Sequence, residues 1–255
     1  VERGAKEIVL TGVDLTSWGP DLSQDLSLGV IIEALDRALP SRVWIRLSSI
    51  DGAEIDDRLF RLMTEVDRIA PYAHLSLQSG DDMILKRMKR RHSRRHAVEL
   101  CTRLKVARPE MAFGADLIAG FPTETEAMFR HSLDLIDDCG LSYVHVFPFS
   151  AREGTPAAKM PQLERSVVKA RAQRLREAAD GALENHLHAR IGQERPVLIE
   201  EIKNGTPRGR FADFTDVHLP GARRLSAGDT IVARAIEQGG RHLVATPQTG
   251  LHPYG

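Results

Sequence analysis

Cysteine is nearly missing from this chain: 255 residues include two, Cys101 and Cys139. Two thiols are too few for a disulfide framework or a three-thiolate cluster site, and a reducing compartment is the expected setting. Long apolar runs are missing as well. No stretch approaches the roughly 18 residues of a membrane span and no secretory pattern precedes the first apolar segment, so the cytoplasm is expected and a membrane is not. Net charge is absent too. Lys plus Arg and Asp plus Glu number 35 each, so any nucleic-acid site must be a local patch. There is no solenoid repeat and no low-complexity segment. What is present, 42% hydrophobic residues, can bury a sizeable core in one large domain, or in a large one and a small one.

The apolar residues fall into a rhythm. β-Branched runs occur at Ile8–Leu10, Val43–Leu47, Ala73–Leu77, Phe113–Ala119 and Tyr143–Phe147. Helical patterns occupy Leu28–Leu39, Ile55–Ile69, Asp81–Lys89, His96–Val106 and Thr125–Cys139. Strand and helix alternate as in a parallel sheet or barrel, with five βα steps where a closed (β/α) barrel needs eight. From Gln162 to Ile191 runs a long charged helix with a one-sided apolar stripe, and beyond it short strands at 196–202, 216–219, 229–235 and 242–245 alternate with Asn-Gly, Pro-Gly and Gly-Gly turns. The expected organisation is a partial (β/α) TIM-like barrel over 1–160, a long helix or linker completing the core over 161–192, a small all-β barrel over 193–247 and a tail over 248–255. Val1-Glu2-Arg3-Gly4 reads as the end of a helix with Gly4 at its C′ position, which predicts a chain cut at its start.

The most informative stretch is Asp116 to Thr125. It encodes a strand, a turn freed by Gly120, an entry preset by Pro122 and a helix start at which Thr123 and Glu126 fit a capping box. Ligands of parallel α/β proteins gather at the carboxyl ends of strands. Those ends are polar throughout: Thr11-Gly12-Val13-Asp14, Arg46-Leu47-Ser48-Ser49, Gln78-Ser79-Gly80-Asp81, Asp116, and Pro148-Phe149-Ser150.

Taken in order, five blocks carry a resemblance: Leu10–Val13 (LTGV), Arg46–Ser49 (RLSS), His74–Arg90 (HLSLQSGDDMILKRMKR), Asp116–Thr125 (DLIAGFPTET) and Gly154–Ala158 (GTPAA). They resemble the methylthiotransferase branch of the radical S-adenosylmethionine enzymes, and the terminal β segment resembles the small RNA-binding TRAM barrel of that branch. The resemblance implies a partial radical-enzyme barrel holding S-adenosylmethionine beside a 4Fe-4S cluster. One electron from the cluster cleaves the sulfonium to a 5′-deoxyadenosyl radical, which abstracts hydrogen from an inert C–H bond. Carried over by resemblance, Thr11, Gly12, Val13, Arg46, Ser48, Gln78, Arg91, Asp116 and Phe149 surround S-adenosylmethionine, and Gly120, Phe121 and Pro122 flank its adenine.

The chain departs from the family in one respect: the C-x-x-x-C-x-x-C that holds the radical cluster is not in it. The resemblance implies two 4Fe-4S clusters in the full-length parent, none ligated by this chain alone, which is then expected to be inactive by itself. A flavodoxin or ferredoxin is the implied electron donor. Within the branch, Leu10–Gly19 and Met88–His92 look most like the enzymes that convert N6-threonylcarbamoyladenosine (t6A) at position 37 of tRNA into its 2-methylthio derivative, with the anticodon stem-loop as partner. Siblings acting on N6-isopentenyladenosine or on an aspartate of ribosomal protein S12 are the alternatives. A noncatalytic RNA-binding protein that kept a degenerate barrel is the alternative of another class.

Phosphate contacts are expected at Lys86, Lys89 and Arg90 in the basic run 86–96, and at Arg208, Arg210, Arg223 and Arg224 in the β segment. Phe211 and Phe214 lie among the latter and read as core or as RNA-stacking residues. The histidines, His74 and His145 among them, offer no compact ligand spacing, and no metal site is expected.

Overall fold

The computed structural model describes residues 4–19, 21–22 and 26–248; the expectations for Val1–Arg3 and for the tail beyond Gln248 lie outside the described residues. Strands β1 (Glu7–Leu10) and β2 (Trp44–Leu47) pair in parallel. After β2 the chain bends at Ser48 and continues as β3 (Ser49–Ile50), which pairs in parallel with β4 (Tyr72–Gln78), followed by β5 (Ala112–Ala119) and β6 (Leu141–Pro148). Five helices, α1 (Leu28–Ala38), α2 (Asp57–Glu65), α3 (Asp82–Arg87), α4 (Arg94–Ala107) and α5 (Glu126–Asp138), lie between the strands. Except at the β2–β3 step, successive strands are joined through helix to a parallel neighbour, as the alternation of apolar periods predicts.

The strand β5 explains how one sequence serves two faces. Phe113, Ala115, Leu117 and Ala119 are buried in the main core, whereas Asp116 and Ile118, on the alternate face, remain partly accessible. The first set packs under the helices with Phe129, Leu135 and Ile136 of α5, each large buried side chain contributing roughly 1.5–3 kcal/mol. The second set is left for chemistry.

Helix α6 (Arg165–His188) crosses β6 and gives Ala172 and Leu175 to this core. Its last turns give Leu183 and Leu187 to a second core, formed inside a closed five-stranded barrel in the order β10-β11-β9-β8-β7. Those strands are β7 (Glu194–Lys203), β8 (Thr206–Phe211), β9 (Asp216–His218), β10 (Thr230–Gln238) and β11 (Leu243–Pro247). Strand β8 is absent from the sequence reading because Pro207 and Gly209 depress its strand propensity. The structure needs the glycine: a Cβ at Gly209 would lie 2.0 Å from the carbonyl oxygen of Leu198 on β7.

The expected capping box also fails. Thr125 is the N-cap of α5, accepting from the Met128 N–H at 3.2 Å. Thr123 sits in the turn at φ +67 with its hydroxyl donating to the Pro122 carbonyl. The shift is imposed by Glu124, whose carboxylate turns inward to accept from the Gly120 N–H at 3.1 Å and from Arg171 of α6 at 2.8 Å. Gly120 itself holds φ +76 against Val168 of α6, a conformation and a contact that a side chain would strain.

The two barrels meet in a buried polar seam. Asp213, fully buried, accepts from Arg190 at 2.6 Å and Arg195 at 2.8 Å, and its second oxygen accepts from the Thr215 N–H at 3.2 Å. Beside it, His186 Nε2 lies 2.9 Å from the Thr215 hydroxyl and 3.2 Å from that of Tyr143. Every charge buried here has a partner, as a low-dielectric seam requires.

Candidate active site

Parallel strands bring residues some 30 to 40 positions apart in sequence side by side on the inner face of β4, β5 and β6. The floor is aromatic: Tyr72 stacks on Phe214 from the small barrel, and Tyr143 meets both rings edge-on. Above it, His74 Nε2 lies 3.1 Å and His145 Nδ1 3.2 Å from the same oxygen of Asp116, and the Tyr72 hydroxyl sits 3.0 Å from His74 Nδ1. The bond to His74 holds the Asp116 carboxyl below the usual range, outweighing its partial burial, so Asp116 is a fixed anion. This corrects the expectation for the histidines. His74, Asp116 and His145 form a compact set with donor atoms within 4.8 Å of one another, the one group among the described residues able to hold a metal ion. Sequence spacing hid it because the three residues are neighbours only across the sheet.

At the mouth, Gln78, Asp116, Ile118, Phe147 and Phe149 line a cleft of ≈ 510 Å³ whose outer wall includes Arg152 and Thr155, a size suited to a nucleoside-scale ligand. Gln78 sits at φ +65 where β4 slips register against β5, a strained backbone held at a strand end. Phe149 packs edge-on against Phe121 at 5.2 Å and donates its N–H to Ala119, fixing the turn that contains Gly120 and Pro122. Gln78, Asp116 and Phe149 therefore come together, with Gly120, Phe121 and Pro122 at their side.

The other expected residues are placed differently. Thr11, Gly12 and Val13 form an exposed turn after β1. Ser48, at the bend after β2, has a buried hydroxyl without a hydrogen-bond partner. Arg91 reaches Glu54 at 2.5 Å and lies near Asp14 and Asp51. Arg46 is buried and turned toward the floor, with Glu7 accepting at 2.8 Å and the Ala212 carbonyl of the small barrel at 3.0 Å. Its guanidinium lies over Phe214. The sequence pattern could not reveal that Arg46 faces the second barrel, because nothing in it places residues 212–214 below β2.

Among the basic residues, Lys86, Lys89, Arg223 and Arg224 are exposed and make no ion pair among the described residues. Arg90 is committed to Asp51 and the Ser76 carbonyl, at 3.1 and 2.8 Å. Arg210 binds Asp216 at 2.7 Å and lies over Phe214, while Arg208 stands 3.8 Å from Glu201. Phe211 is a fully buried core residue.

The donor set suits S-adenosylmethionine, which carries a net positive charge: an ionised Asp116 and the strained Gln78 line the cleft and stand ready for a polar cationic ligand. An iron–sulfur cluster does not fit. Cys101 and Cys139 are both buried under the helical layer, and their mutual hydrogen bond, with burial, keeps the Cys101 thiol protonated far above its ordinary range.

A parallel (β/α) half-barrel with a polar cleft at its strand ends defines the class, and the chain belongs to the radical SAM superfamily, whose family model matches residues 1–136. Among individual proteins, it is 50% identical over 200 residues to threonylcarbamoyladenosine tRNA methylthiotransferase MtaB of Rickettsia prowazekii, covering 78% of this chain and 48% of that protein. It is 33% identical over 248 residues to a tRNA-2-methylthio-N(6)-dimethylallyladenosine synthase of Erythrobacter litoralis, covering 95% and 55%. The chain thus spans about half the length of the curated relatives it matches. In fold it is similar to coproporphyrinogen III oxidase (HemN) of Escherichia coli, a radical SAM enzyme, with TM-score 0.54 at 10% identity over 91% of this chain and 55% of that one. No described helix is long and apolar enough to cross a membrane.

Proposed function

We propose that this chain is the S-adenosylmethionine-binding and RNA-binding part of a tRNA methylthiotransferase that acts on t6A at position 37 and yields its 2-methylthio derivative. The observation that carries the reading is the 50% identity to MtaB of Rickettsia prowazekii, above the 33% and 38% to dimethylallyladenosine-type synthases.

In this reading Asp116, set by His74 and His145, orients S-adenosylmethionine through its polar groups. Gln78 completes its polar contacts, and the Phe121–Phe149 pair flanks its adenine and keeps water out. When bound, S-adenosylmethionine supplies the radical and the methyl group. The cluster ligands, and with them the reductive step, come from outside this chain, which alone has no methylthiolation activity. The cluster's electrons come from a flavodoxin- or ferredoxin-type donor, and the enzyme works in the cytoplasm, where its tRNA is.

Nucleoside mass spectrometry of tRNA from cells lacking the gene tests the proposal. Loss of 2-methylthio-t6A with accumulation of t6A is expected. Loss of the isopentenyl counterpart would move the substrate to the sibling, and an unchanged tRNA would end both readings.

A further inference from the structure

A second cleft, of ≈ 520 Å³, opens on the outer side of β6 where the strand faces the first half of α6. It shares Pro148, Phe149 and Ser150 with the cleft beside Asp116, so the two are adjacent chambers at one strand end. Their chemistry differs. The first contains a fixed anion, whereas the second is walled by three cations of α6: Arg165, Lys169 and Arg176.

The pairing of cations along α6 sorts them by face. Its first half carries five, of which Arg171 and Arg174 are bound by carboxylates of the neighbouring segment, Arg171 to Glu124 and Arg174 to Glu126, each at 2.8 Å. Glu126 also has Arg130 beside it. The three cations that line the cleft are exposed and have no carboxylate partner among the described residues; Arg176 reaches only the Val146 carbonyl, at 3.4 Å. The first turn of α6 contains no acidic residue, and the preceding Glu164 makes no side-chain hydrogen bond to the helix end. Most of the basic run near α4 is, by contrast, already matched: Arg90, Arg91, Arg94 and Arg95 each face a carboxylate.

Three unneutralised cations in one cavity repel the net-positive S-adenosylmethionine and attract a polyanion. They are spread over eleven residue steps, about 16 Å of helix, which spans more than one phosphate of an extended strand. We propose that Arg165, Lys169 and Arg176 hold the RNA backbone beside the target nucleoside, so that the base enters the Asp116 chamber while its phosphates rest on α6. This rests on the tRNA reading above and adds the path of the strand.

Binding of a fluorescein-labelled anticodon stem-loop RNA to the 255-residue chain, followed by anisotropy from about 50 to about 200 mM salt, tests it. The triple variant Arg165→Ala/Lys169→Ala/Arg176→Ala is compared with wild type and with Lys86→Ala/Lys89→Ala. Alanine at exposed helical positions keeps the fold, which a thermal melt verifies. The expected result is about tenfold weaker binding for the triple variant at the lowest salt, a log–log salt slope shallower by about 2, and a smaller loss for the Lys86/Lys89 variant. A triple variant that binds like wild type with the same slope overturns the strand path and leaves the tRNA reading standing. A wild-type chain that binds no RNA overturns both.

Discussion

Phe214 of the small barrel lies flat on Tyr72 of β4, with ring centroids 4.6 Å apart and planes 13° from parallel. The loop that delivers it holds Phe214 at φ +74, a left-handed conformation that costs a bulky residue about 1–2 kcal/mol. The strain is offset by the stacking and by Arg46 and Arg210, whose guanidinium groups lie 5.4 and 4.5 Å from the ring. Replacing the ring separates the two terms. Phe214→Gly loses the stack and relieves the backbone, whereas Phe214→Ala loses the stack and keeps most of the strain, so the Ala variant is expected to be less stable by about 1 kcal/mol. Denaturant melts of the two variants measure the difference, and equal stabilities would show that the loop carries no strain.

Asp213 ties its loop to the turn after α6 through Arg190 and to β7 through Arg195. Burial pushes its carboxyl up, but Arg190 and Arg195 outweigh burial and hold it below the usual range. A depressed carboxylate contributes stability above its unfolded pKa and loses it as pH falls through the folded value, so this contribution is complete at neutral pH and disappears below about pH 4. Asp213→Asn leaves two arginines facing a neutral amide and is expected to cost about 3–5 kcal/mol at pH 7, and less in acid. A cost independent of pH would refute the charge pairing.

His186 predicts a different window. Burial first, and Arg190 second, lower its pKa to about 3. The folded state therefore refuses a proton that the unfolded state accepts below about 6.5, and stability falls as pH drops from about 6.5 toward 3, by up to about 1.4 kcal/mol per pH unit. His186→Gln places an amide where Nε2 meets Thr215 and Tyr143, and it is expected to flatten the slope between pH 6.5 and 4.5. Urea titrations across that range read the slope directly.

Arg152 lies on the wall of the Asp116 cleft and makes no ion pair among the described residues. The threonyl group of t6A ends in a carboxylate and an isopentenyl group does not. In the full-length enzyme, Arg152→Ala is expected to lower 2-methylthio-t6A formation about 10- to 100-fold, the loss of one charge-assisted hydrogen bond, with partial rescue by Lys. Unchanged nucleoside levels in a complemented deletion strain would remove Arg152 from substrate recognition.

Much of this was legible in the sequence because local periodicity and burial agreed. The apolar run Phe113–Ala119 located β5 with Asp116 in it, and the Gly120 turn is where the reading put it. What stayed hidden depended on partners remote in sequence. Glu124 turned inward toward Arg171 and moved the cap of α5 by two residues; Arg46 turned toward Ala212 and Phe214; His145 reached Asp116 only across the sheet. Strand β8 was missed for another reason: its glycine is required by a backbone contact, and its proline lies where propensity opposes a strand. The basic residues misled most, since a run of arginines cannot show which of them already has a carboxylate opposite.

Helix α6 carries one set of apolar residues into each core and, along its first half, the cations of the second cleft. Its 24 residues make a rod of about 36 Å. That rod acts as a splint. With Ala172 and Leu175 in one core and Leu183 and Leu187 in the other, the small barrel cannot swing away from the sheet that carries Asp116 without exposing apolar side chains of both.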